Sequence, residues 1–362
     1  MGDNQIDKDI KAPKAWDRRT SAAYGTTNKV IVAVIDTGVR YTHEDLQANM
    51  WVNPGEIAGD NIDNDGNGVT NDIVGADFFS NDGDPMDEGS HGTHCAGLIG
   101  AVGNNGVGIT GVVWTGVQIM ALRFIGYDAT AGKETGSVTD AIQCIDYAIA
   151  KGARVINASY GSPIFNSSES SAIQRASNAG IMFVAAAGND GTNNDATPFY
   201  PANYGRSNII SVGATDRNDN KAGFSNFGAT SVDLMAPGVE MWSTTTGSNS
   251  SYSQGQGTSF AAPIVSGALA LLIAEYPNDS ISTRRGRIVS TNAVDVIPAL
   301  SGLCATGGRL NLAKLLPAAD VNTLPPALVW HRPDHLEGLI PSAMRTPSTI
   351  TLSNDVTIYS LS

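Results

Sequence analysis

The stretch that decides the fold is VIVAVIDTG at residues 30–38, six apolar side chains followed by an acid, a hydroxyl and a glycine. A strand that is apolar on both faces is expected in a parallel sheet, because helices cover both sides of such a sheet. Residues 154–158 (RVINA), 181–187 (IMFVAAA) and 209–215 (IISVGAT) have the same character. They predict further buried strands of the same sheet.

Helical patterns alternate with these strands. Residues 138–151 repeat apolar side chains every three or four positions and are followed by Gly152, as in an amphipathic helix that ends at a glycine. Residues 169–179 and 259–275 predict two more helices, and Pro263 lies near the first turn of the latter, where proline is tolerated. The alternation predicts an α/β fold with a central parallel sheet flanked by helices on both faces.

The C-terminal part of the chain has a different composition. Residues 317–362 contain six prolines and show little apolar periodicity. Proline interrupts both helices and the interior of sheets, so a regular packed layer is not expected there. We therefore predict one domain at residues 1–316 and an irregular C-terminal extension or tail at residues 317–362.

Composition and charge exclude several classes of protein. The chain has 362 residues, and its 35 acidic side chains exceed its 22 basic ones by 13, which disfavours binding to the phosphates of nucleic acids. No apolar run reaches the roughly 18–20 residues that span a membrane. Neither a nucleic acid nor a membrane is therefore an expected partner. The three cysteines cannot all pair, which argues against a disulfide framework.

Polar residues stand where the predicted strands end and the predicted helices begin. Asp36 follows the strand at residues 30–35, and Asn189 follows the later strand of residues 181–187. His91 and Ser259 each open an apolar helical stretch. Ligands of α/β sheets bind beyond the carboxyl ends of the strands. An acid, an imidazole, an amide and a hydroxyl at such places supply the groups that acyl transfer needs.

Each of these groups has a chemical role in acyl transfer. A serine hydroxyl is nearly unreactive at neutral pH until a base takes its proton, so Ser259 would be the nucleophile and His91 the base. Asp36 would orient the imidazole and stabilise its cation. Asn189 would donate its amide to the developing oxyanion. The backbone N–H of Ser259, at a helix N-terminus, would be a second donor.

The segments around these four residues resemble the subtilisin-like serine proteases. The matching stretches occur in the family's order of Asp, His and Ser, and they are VAVIDTG at 32–38, HGTHCAG at 91–97, AAGN at 186–189 and GTSFAAP at 257–263. The resemblance covers about residues 5–316. It implies a parallel sheet flanked by helices, a triad of Asp36, His91 and Ser259 with Asn189 in the oxyanion hole, broad endopeptidase activity and bound calcium.

The resemblance also implies where the substrate binds. A substrate peptide pairs with enzyme backbone as an added strand in this family, which is a form of β-augmentation. The two edges that would hold it are Ser159, Tyr160 and Gly161 on one side and Gly136 and Ser137 on the other.

Two bulky side chains depart from the family's pattern. Phe260 stands where the family usually has methionine, and it cannot form a sulfoxide, so better tolerance of peroxide is expected. Phe199 falls near the floor of the specificity pocket, which counts against the acceptance of large aromatic side chains. Beside it, Tyr200-Pro201 falls where the family often has a cis-proline.

Residues 60–72 (DNIDNDGNGVTND) are dense in oxygen ligands and match the front half of a calcium loop, D-x-D-x-N-G. The closing Glu is absent, because position 74 is Val74. So many carboxylates in a short span repel one another unless a cation neutralises them, which favours a calcium loop. The alternative interpretation of these residues is a solvated acidic turn. The predicted calcium ligands are Asp60, Asp63, Asp65, Asn67, the carbonyl of Val69 and Asp72.

The resemblance implies a second calcium site elsewhere in the chain. Its ligands would be the side chains of Asp45 and Asn105 and the carbonyls of Val102, Val107 and Ile109.

The function predicted from the sequence is a serine endopeptidase that works through an acyl-enzyme. The alternatives are a transpeptidase or macrocyclase on the same scaffold, a pseudoprotease that binds peptides without cutting them, and a metalloprotease that uses His91 and His94, for which no third ligand is near. The resemblance further implies polypeptide substrates, a secreted monomer and a precursor with an N-terminal propeptide. Only 35 residues precede Asp36, so the chain is expected to be a trimmed mature form.

Overall fold

The computed structural model describes residues 8–24, 28–130, 132–316, 350–352 and 356–358. In these residues the α-helices are α1 Ala12–Trp16, α2 His91–Gly100, α3 Val138–Ala150, α4 Ser167–Asn178, α5 Thr258–Glu275, α6 Ile281–Ile288 and α7 Leu312–Leu315. The strands are β1 Ala23–Tyr24, β2 Asn28–Asp36, β3 Gly75–Asp77, β4 Val117–Arg123, β5 Ile125–Asp128, β6 Lys133–Gly136, β7 Val155–Ala158, β8 Met182–Ala186, β9 Ile209–Thr215, β10 Leu234–Pro237, β11 Met241–Thr244, β12 Tyr252–Gly255, β13 Val294–Val296, β14 Gly308–Leu310, β15 Ile350–Leu352 and β16 Val356–Ile358.

A central sheet joins strands that are far apart in the sequence. Its order is β13-β14-β10-β9-β8-β7-β2-β4-β3, and β1 pairs with β2 outside this path. The pairs from β14 to β3 are parallel, whereas β1 with β2 and β13 with β14 are antiparallel. The prediction of a central parallel sheet is therefore confirmed, with antiparallel strands added at β1 and β13.

The predicted elements appear close to their expected bounds. The strand of residues 30–35 lies within β2, and that of residues 209–215 coincides with β9. The helices predicted at residues 138–151 and 259–275 are α3 and α5, with ends displaced by one residue. The helix predicted at residues 169–179 is α4, which starts two residues earlier because Asn166 caps its N-terminus by accepting from the N–H groups of Ser168 and Glu169.

Alternate side chains of β2 face two different helical layers. Val32 and Val34 belong to a buried cluster that includes residues of α2 and α5, whereas Ala33 and Ile35 belong to a second cluster with residues of α3 and α4. Successive side chains of a strand point to opposite faces of the sheet, so an apolar run such as VIVAVI fills both layers. The helices thus cover both faces, as predicted.

Helix α5 is the most apolar helix of the fold. It is long and apolar enough to cross a membrane by length and composition, but 94% of the relevant window is buried inside the protein. Residues from Thr258 to Ala274 are all buried. A helix that is apolar all round is expected at the centre of a large core. The helix therefore belongs to the core.

The chain divides into two compact units, Met1–Ala318 and Ala319–Ser362. Most of the extension predicted at residues 317–362 lies outside the described residues. Where the second unit is described, β15 and β16 form an antiparallel pair.

Candidate active site

The carboxyl ends of three adjacent strands carry residues that the sequence singled out. Strand β7 lies between β2 and β8, and all three run parallel. Asp36 ends β2, Ser159 follows β7, and Asn189 comes three residues after the end of β8. Parallel strands bring their carboxyl ends to one edge of the sheet. That edge is the candidate active site.

Asp36 and His91 are in direct contact. His91 is the first residue of α2, and its Nδ1 lies 2.8 Å from Oδ1 of Asp36. Asp36 is fully buried, and the same oxygen accepts a hydrogen bond of 2.8 Å from the backbone N–H of Thr37. The imidazole side chain keeps 32% of its surface exposed. The carboxylate is thus fixed inside the protein while the ring faces the cleft.

The turn before His91 is fixed by Asp87, a residue that the sequence did not single out. One carboxylate oxygen of Asp87 accepts from the N–H groups of Gly89 and Ser90, and the other accepts from the N–H and the hydroxyl of Thr93. A carboxylate that satisfies free N–H groups at a helix N-terminus stabilises that helix. Asp87 therefore holds the start of α2, and with it His91, in place.

Gly92 allows α2 to approach the turn after β2. A Cβ at this position would lie 2.1 Å from the carbonyl oxygen of Gly38 and 3.0 Å from Cβ of Asp36. The backbone N–H of Gly92 donates to the hydroxyl of Thr37 at 2.9 Å. Any larger residue would push the helix, and therefore His91, away from Asp36.

The start of α5 lies beside the same carboxylate. The Cys95 sulfur is 3.8 Å from Oδ2 of Asp36 and 3.4 Å from the carbonyl oxygen of Ser259. Cys95 is fully buried, and burial followed by the charge of Asp36 raises the pKa of its thiol well above the usual value. The hydroxyl of Ser159 also donates to the Ser259 carbonyl, at 2.9 Å. These contacts tie Ser259 to the ends of β2 and β7.

Asn189 faces the start of α5 from the end of β8. Its Oδ1 accepts hydrogen bonds of 2.9 Å from the N–H and from the hydroxyl of Thr258, which leaves the amide NH₂ free of these bonds. A Cβ at Gly257 would lie 2.8 Å from Oγ of Ser259 and 3.4 Å from Nδ2 of Asn189. Gly257 has φ +151°, which favours glycine. The hydroxyl and the amide therefore border one small space that glycine leaves open.

A model of the subtilase family matches residues 27–315 of the chain, which include all four of these residues. The chain belongs to the subtilase family. Its α/β fold, with a mostly parallel sheet between helical layers, is consistent with the subtilisin fold.

Three relatives show how far the similarity extends. A thermophilic serine proteinase of Bacillus sp. (strain AK1) is 40% identical over 265 residues, which are 73% of this chain and 56% of that protein. Thermitase of Thermoactinomyces vulgaris is 37% identical over 305 residues, or 84% of this chain and 92% of thermitase. Subtilisin DY of Bacillus licheniformis is 34% identical over 276 residues, or 76% and 87%. These relatives support serine protease activity at the level of the subtilase family.

The proposed substrate-binding residues line two cavities of this subtilase. A cavity of about 300 Å³ borders Ser259, and its lining comprises Ser159, Tyr160, Gly161, Ala186, Gly188, Asn189, Asp190, Phe199, Thr258 and Ser259. Gly136 and Ser137 do not reach it. They line a second cavity, together with Tyr160 and Gly161.

Phe199 and Phe260 both contact the candidate site. Cε1 of Phe199 would lie 2.2 Å from a Cβ at Gly161, so the ring covers one wall of the cavity beside Ser259. The Phe260 ring packs edge-on against His91, with centroids 5.9 Å apart. The Tyr200-Pro201 bond is cis, as predicted.

Asp45 gathers the residues predicted for one calcium site. Its carboxylate is buried and accepts from the amide of Asn105 at 2.7 Å and from the N–H of Ile109 at 3.0 Å. The N–H of Val102 donates to the Asp45 carbonyl at 2.8 Å, and the N–H of Val107 donates to Oδ1 of Asn105 at 3.0 Å. The structure thus brings all five residues together.

The acidic loop at residues 60–72 is arranged differently. Asp65 and Asp72 meet Glu56, which the sequence did not single out, in a cluster whose carboxylate oxygens lie within 4.8 Å of one another. Asp60 and Asp63 lie outside this cluster. Asp60 accepts from the N–H of Ile62 and the amide of Asn64, and Asp63 accepts from the N–H groups of Asn67 and Gly68. Asn67 donates its amide to Asp72 and accepts from the N–H of Val69.

An ammonium group lies next to the acidic cluster. Lys151 forms an ion pair with Asp65, and its Nζ is 3.5 Å from Oδ2 of Asp72. Burial alone would raise the pKa of Asp65, but hydrogen bonds from Lys151 and Asn53 hold it below its usual value. Part of the negative charge that would attract a calcium ion is therefore balanced by a side chain of the protein.

Proposed function

We propose that this subtilase is a serine endopeptidase in which Ser259 is the nucleophile, His91 the general base, Asp36 its partner and Asn189 the oxyanion donor. The observation that carries the proposal is the 2.8 Å contact between Asp36 and His91, next to the helix that begins at Thr258. An imidazole oriented by a buried carboxylate and placed near a serine at a helix start is the arrangement that activates a hydroxyl.

Acylation starts with a proton transfer. Asp36 holds Nδ1–H of the imidazole, so Nε2 is free to accept the proton of the Ser259 hydroxyl. Oγ attacks the carbonyl carbon of the scissile peptide, and the carbonyl oxygen becomes an oxyanion. The amide of Asn189 and the backbone N–H of Ser259 donate to it. His91 then gives its proton to the leaving amine, and the acyl-enzyme remains on Ser259.

Deacylation repeats these steps with water. His91 takes a proton from the attacking water, the same donors stabilise the second oxyanion, and the proton returns to Oγ of Ser259 as the acid leaves. Asp36 stabilises the imidazolium in both halves of the reaction without changing its own protonation.

An inhibitor comparison tests the proposal. A serine-reactive fluorophosphonate should abolish hydrolysis of casein at once, because it consumes the nucleophile. A chelator should act slowly and through loss of structure, since no reaction step uses a metal. Immediate and complete inhibition by the chelator, with no effect of the fluorophosphonate, would contradict the proposal and favour a metalloprotease.

Activity should depend on pH through His91. Burial disfavours its imidazolium, but the charge and hydrogen bond of Asp36, with further charge from Asp87 and Glu134, outweigh this effect and raise the pKa of His91 above its usual value of 6.5. Only the neutral ring accepts a proton, so kcat/KM should fall as the pH drops through this raised pKa. The midpoint of the acid limb, measured with a neutral peptide, should therefore lie above pH 6.5.

Glu134 provides a matched test of that pH dependence. It is exposed, and its charge is one of those that raise the pKa of His91. The substitution Glu134→Gln should therefore move the acid limb to lower pH. If the acid limb of the unmodified enzyme has its midpoint below the pKa of a free imidazole, His91 is not the group that titrates.

Calcium at the site around Asp45 is also part of the proposal. The Asp45 carboxylate is buried, and among the residues that the structure describes no lysine or arginine forms an ion pair with it. A buried carboxylate without a cationic side chain beside it is a group that a hard, oxygen-seeking cation such as calcium would stabilise. Asp45, Asn105 and the carbonyls of Val102, Val107 and Ile109 would hold the ion, which would stabilise this loop.

Removing calcium should lower thermal stability before it affects chemistry, because these residues are separate from Ser259 and His91. An ion that binds only the folded state adds RT ln(1 + [L]/Kd), about 2.7 kcal/mol at a hundredfold excess over Kd. The melting temperature should therefore fall when a chelator is added. In Asp45→Asn the chelator should have a smaller effect, whereas Asp63→Asn tests the loop at residues 60–72 separately. If the chelator leaves the melting temperature of the wild type and of both variants unchanged, neither calcium site exists.

The remaining parts of the proposal concern the substrates, localisation and precursor of the enzyme. We infer polypeptide substrates, broad specificity, a secreted monomer and a precursor whose propeptide assists folding. The sheet supports the last point, since β14 pairs with β10 and β4 with β2 across long stretches of sequence. Parallel sheets of this kind fold slowly, because the chain must close long loops before the contacts form.

A further inference from the structure

A second cavity, of about 200 Å³, lies beside the proposed path of the substrate. Its walls include Gly136 and Ser137 from one proposed substrate edge and Tyr160 and Gly161 from the other. A peptide that pairs with these two edges would pass over the mouth of the cavity, and one of its side chains would enter it. Neither the triad nor Asn189 lines this cavity.

The walls of the cavity are largely apolar, but one buried lining group is a carboxyl. Apolar surface comes from Phe124, Ile125, Val138 and Ile164. The side chain of Ile164 is 74% exposed. Glu169, from the first turn of α4, also lines the cavity and is only 5% exposed. The cavity therefore combines apolar walls with a deep acidic group.

The Glu169 carboxyl has hydrogen-bond donors but no cationic partner in the part of the chain that the structure describes. Tyr160 donates its hydroxyl to Oε1 at 3.1 Å, and Tyr204 donates to Oε2 at 2.6 Å. Among the described residues, no lysine, arginine or histidine forms an ion pair with it. Burial raises the pKa of Glu169 despite these two hydroxyls. A carboxylate has about four acceptor positions, so two remain for another donor.

We infer that this cavity is a specificity subsite for a lysine or arginine side chain of the substrate, upstream of the cleaved bond, whose charged end binds Glu169. The inference rests on the proposed endopeptidase function. Lysine and arginine carry a long apolar stem that packs against apolar walls and a charged end that seeks a polar partner. Pairing also stabilises a carboxylate that is otherwise buried without a cation.

A peptide library tests the inference. Each position upstream of the cleaved bond carries in turn lysine, arginine, norleucine or phenylalanine, and norleucine matches lysine in length without its charge. At one position, lysine or arginine should raise kcat/KM over norleucine by about tenfold to a hundredfold, the range of a hydrogen bond to a charged group. Glu169→Gln should remove most of this preference, because it keeps the shape of the side chain without its charge.

Asp146→Asn is the matched control, because Asp146 is an exposed carboxylate on α3 that pairs with Arg175 of the neighbouring α4. It should leave the preference unchanged. A wild-type enzyme that prefers norleucine or phenylalanine at every upstream position would overturn the inference, whether or not Glu169→Gln folds. A lysine preference that survives Glu169→Gln would do the same. A wild-type enzyme that cleaves no peptide would instead contradict the proposed function itself.

Discussion

Replacing Ser259 with alanine is expected to lower kcat by about 10⁶-fold, the size of the loss when a subtilisin is deprived of its nucleophile. The reason is that no acyl-enzyme can form without Oγ. The fold should survive, because the side chain sits at the start of α5, while the contacts of Cys95 and Ser159 are made with the Ser259 carbonyl, which alanine keeps. Peptide binding should therefore remain close to that of the wild type.

Hydrolysis of casein by purified Ser259→Ala measures this loss, and a thermal melt verifies the fold. Ser207→Ala is a suitable control, because Ser207 is an exposed serine whose hydroxyl lies 3.4 Å from the surface hydroxyl of Ser177. It should leave activity unchanged. Near-normal hydrolysis by Ser259→Ala would show that another group is the nucleophile.

Replacing Asn189 with alanine is expected to lower kcat by about 10²–10³ and to leave KM nearly unchanged. The amide donates to an oxygen that becomes negative only in the transition state, so its removal does not weaken binding of the ground state. Steady-state kinetics with a single peptide substrate separate the two parameters.

Asn189 also accepts two hydrogen bonds from Thr258, so alanine removes a structural contact as well. Thr258→Val removes only the hydroxyl part of this contact and keeps the amide donor. It should therefore cost less in kcat than Asn189→Ala does. A loss confined to KM in Asn189→Ala would make the residue a ground-state binder and would contradict an oxyanion role.

Local sequence patterns were sufficient to predict the main strands and helices of the fold. The apolar run before Asp36 predicted β2, and the spacing in α3 predicted a helix that ends within one residue of its expected position. Both signals arise from contacts with the core, which repeat with the period of the element itself. The positions of Asp36, His91, Ser259 and Asn189 at element ends could be predicted for the same reason.

Pairings between distant residues could not be predicted in this way. Lys151 meets Asp65 across 86 positions of sequence, and no local pattern encodes that ion pair. Glu169 has an ordinary local explanation, since acids are common in the first turn of a helix. Only the packing of α4 against the residues around Tyr160 places its carboxyl in a cavity. Asp87 is similar, because its role depends on the turn that brings it back to Thr93.

The most direct test of the account is to locate the fluorophosphonate adduct by peptide mapping. The enzyme is labelled in its native state, digested and analysed by mass spectrometry. We expect one adduct per chain, on Oγ of Ser259, and we expect labelling to fail in His91→Ala because the base is missing. An adduct on another residue, or continued hydrolysis by the fully labelled enzyme, would contradict the assignment of Ser259 and His91.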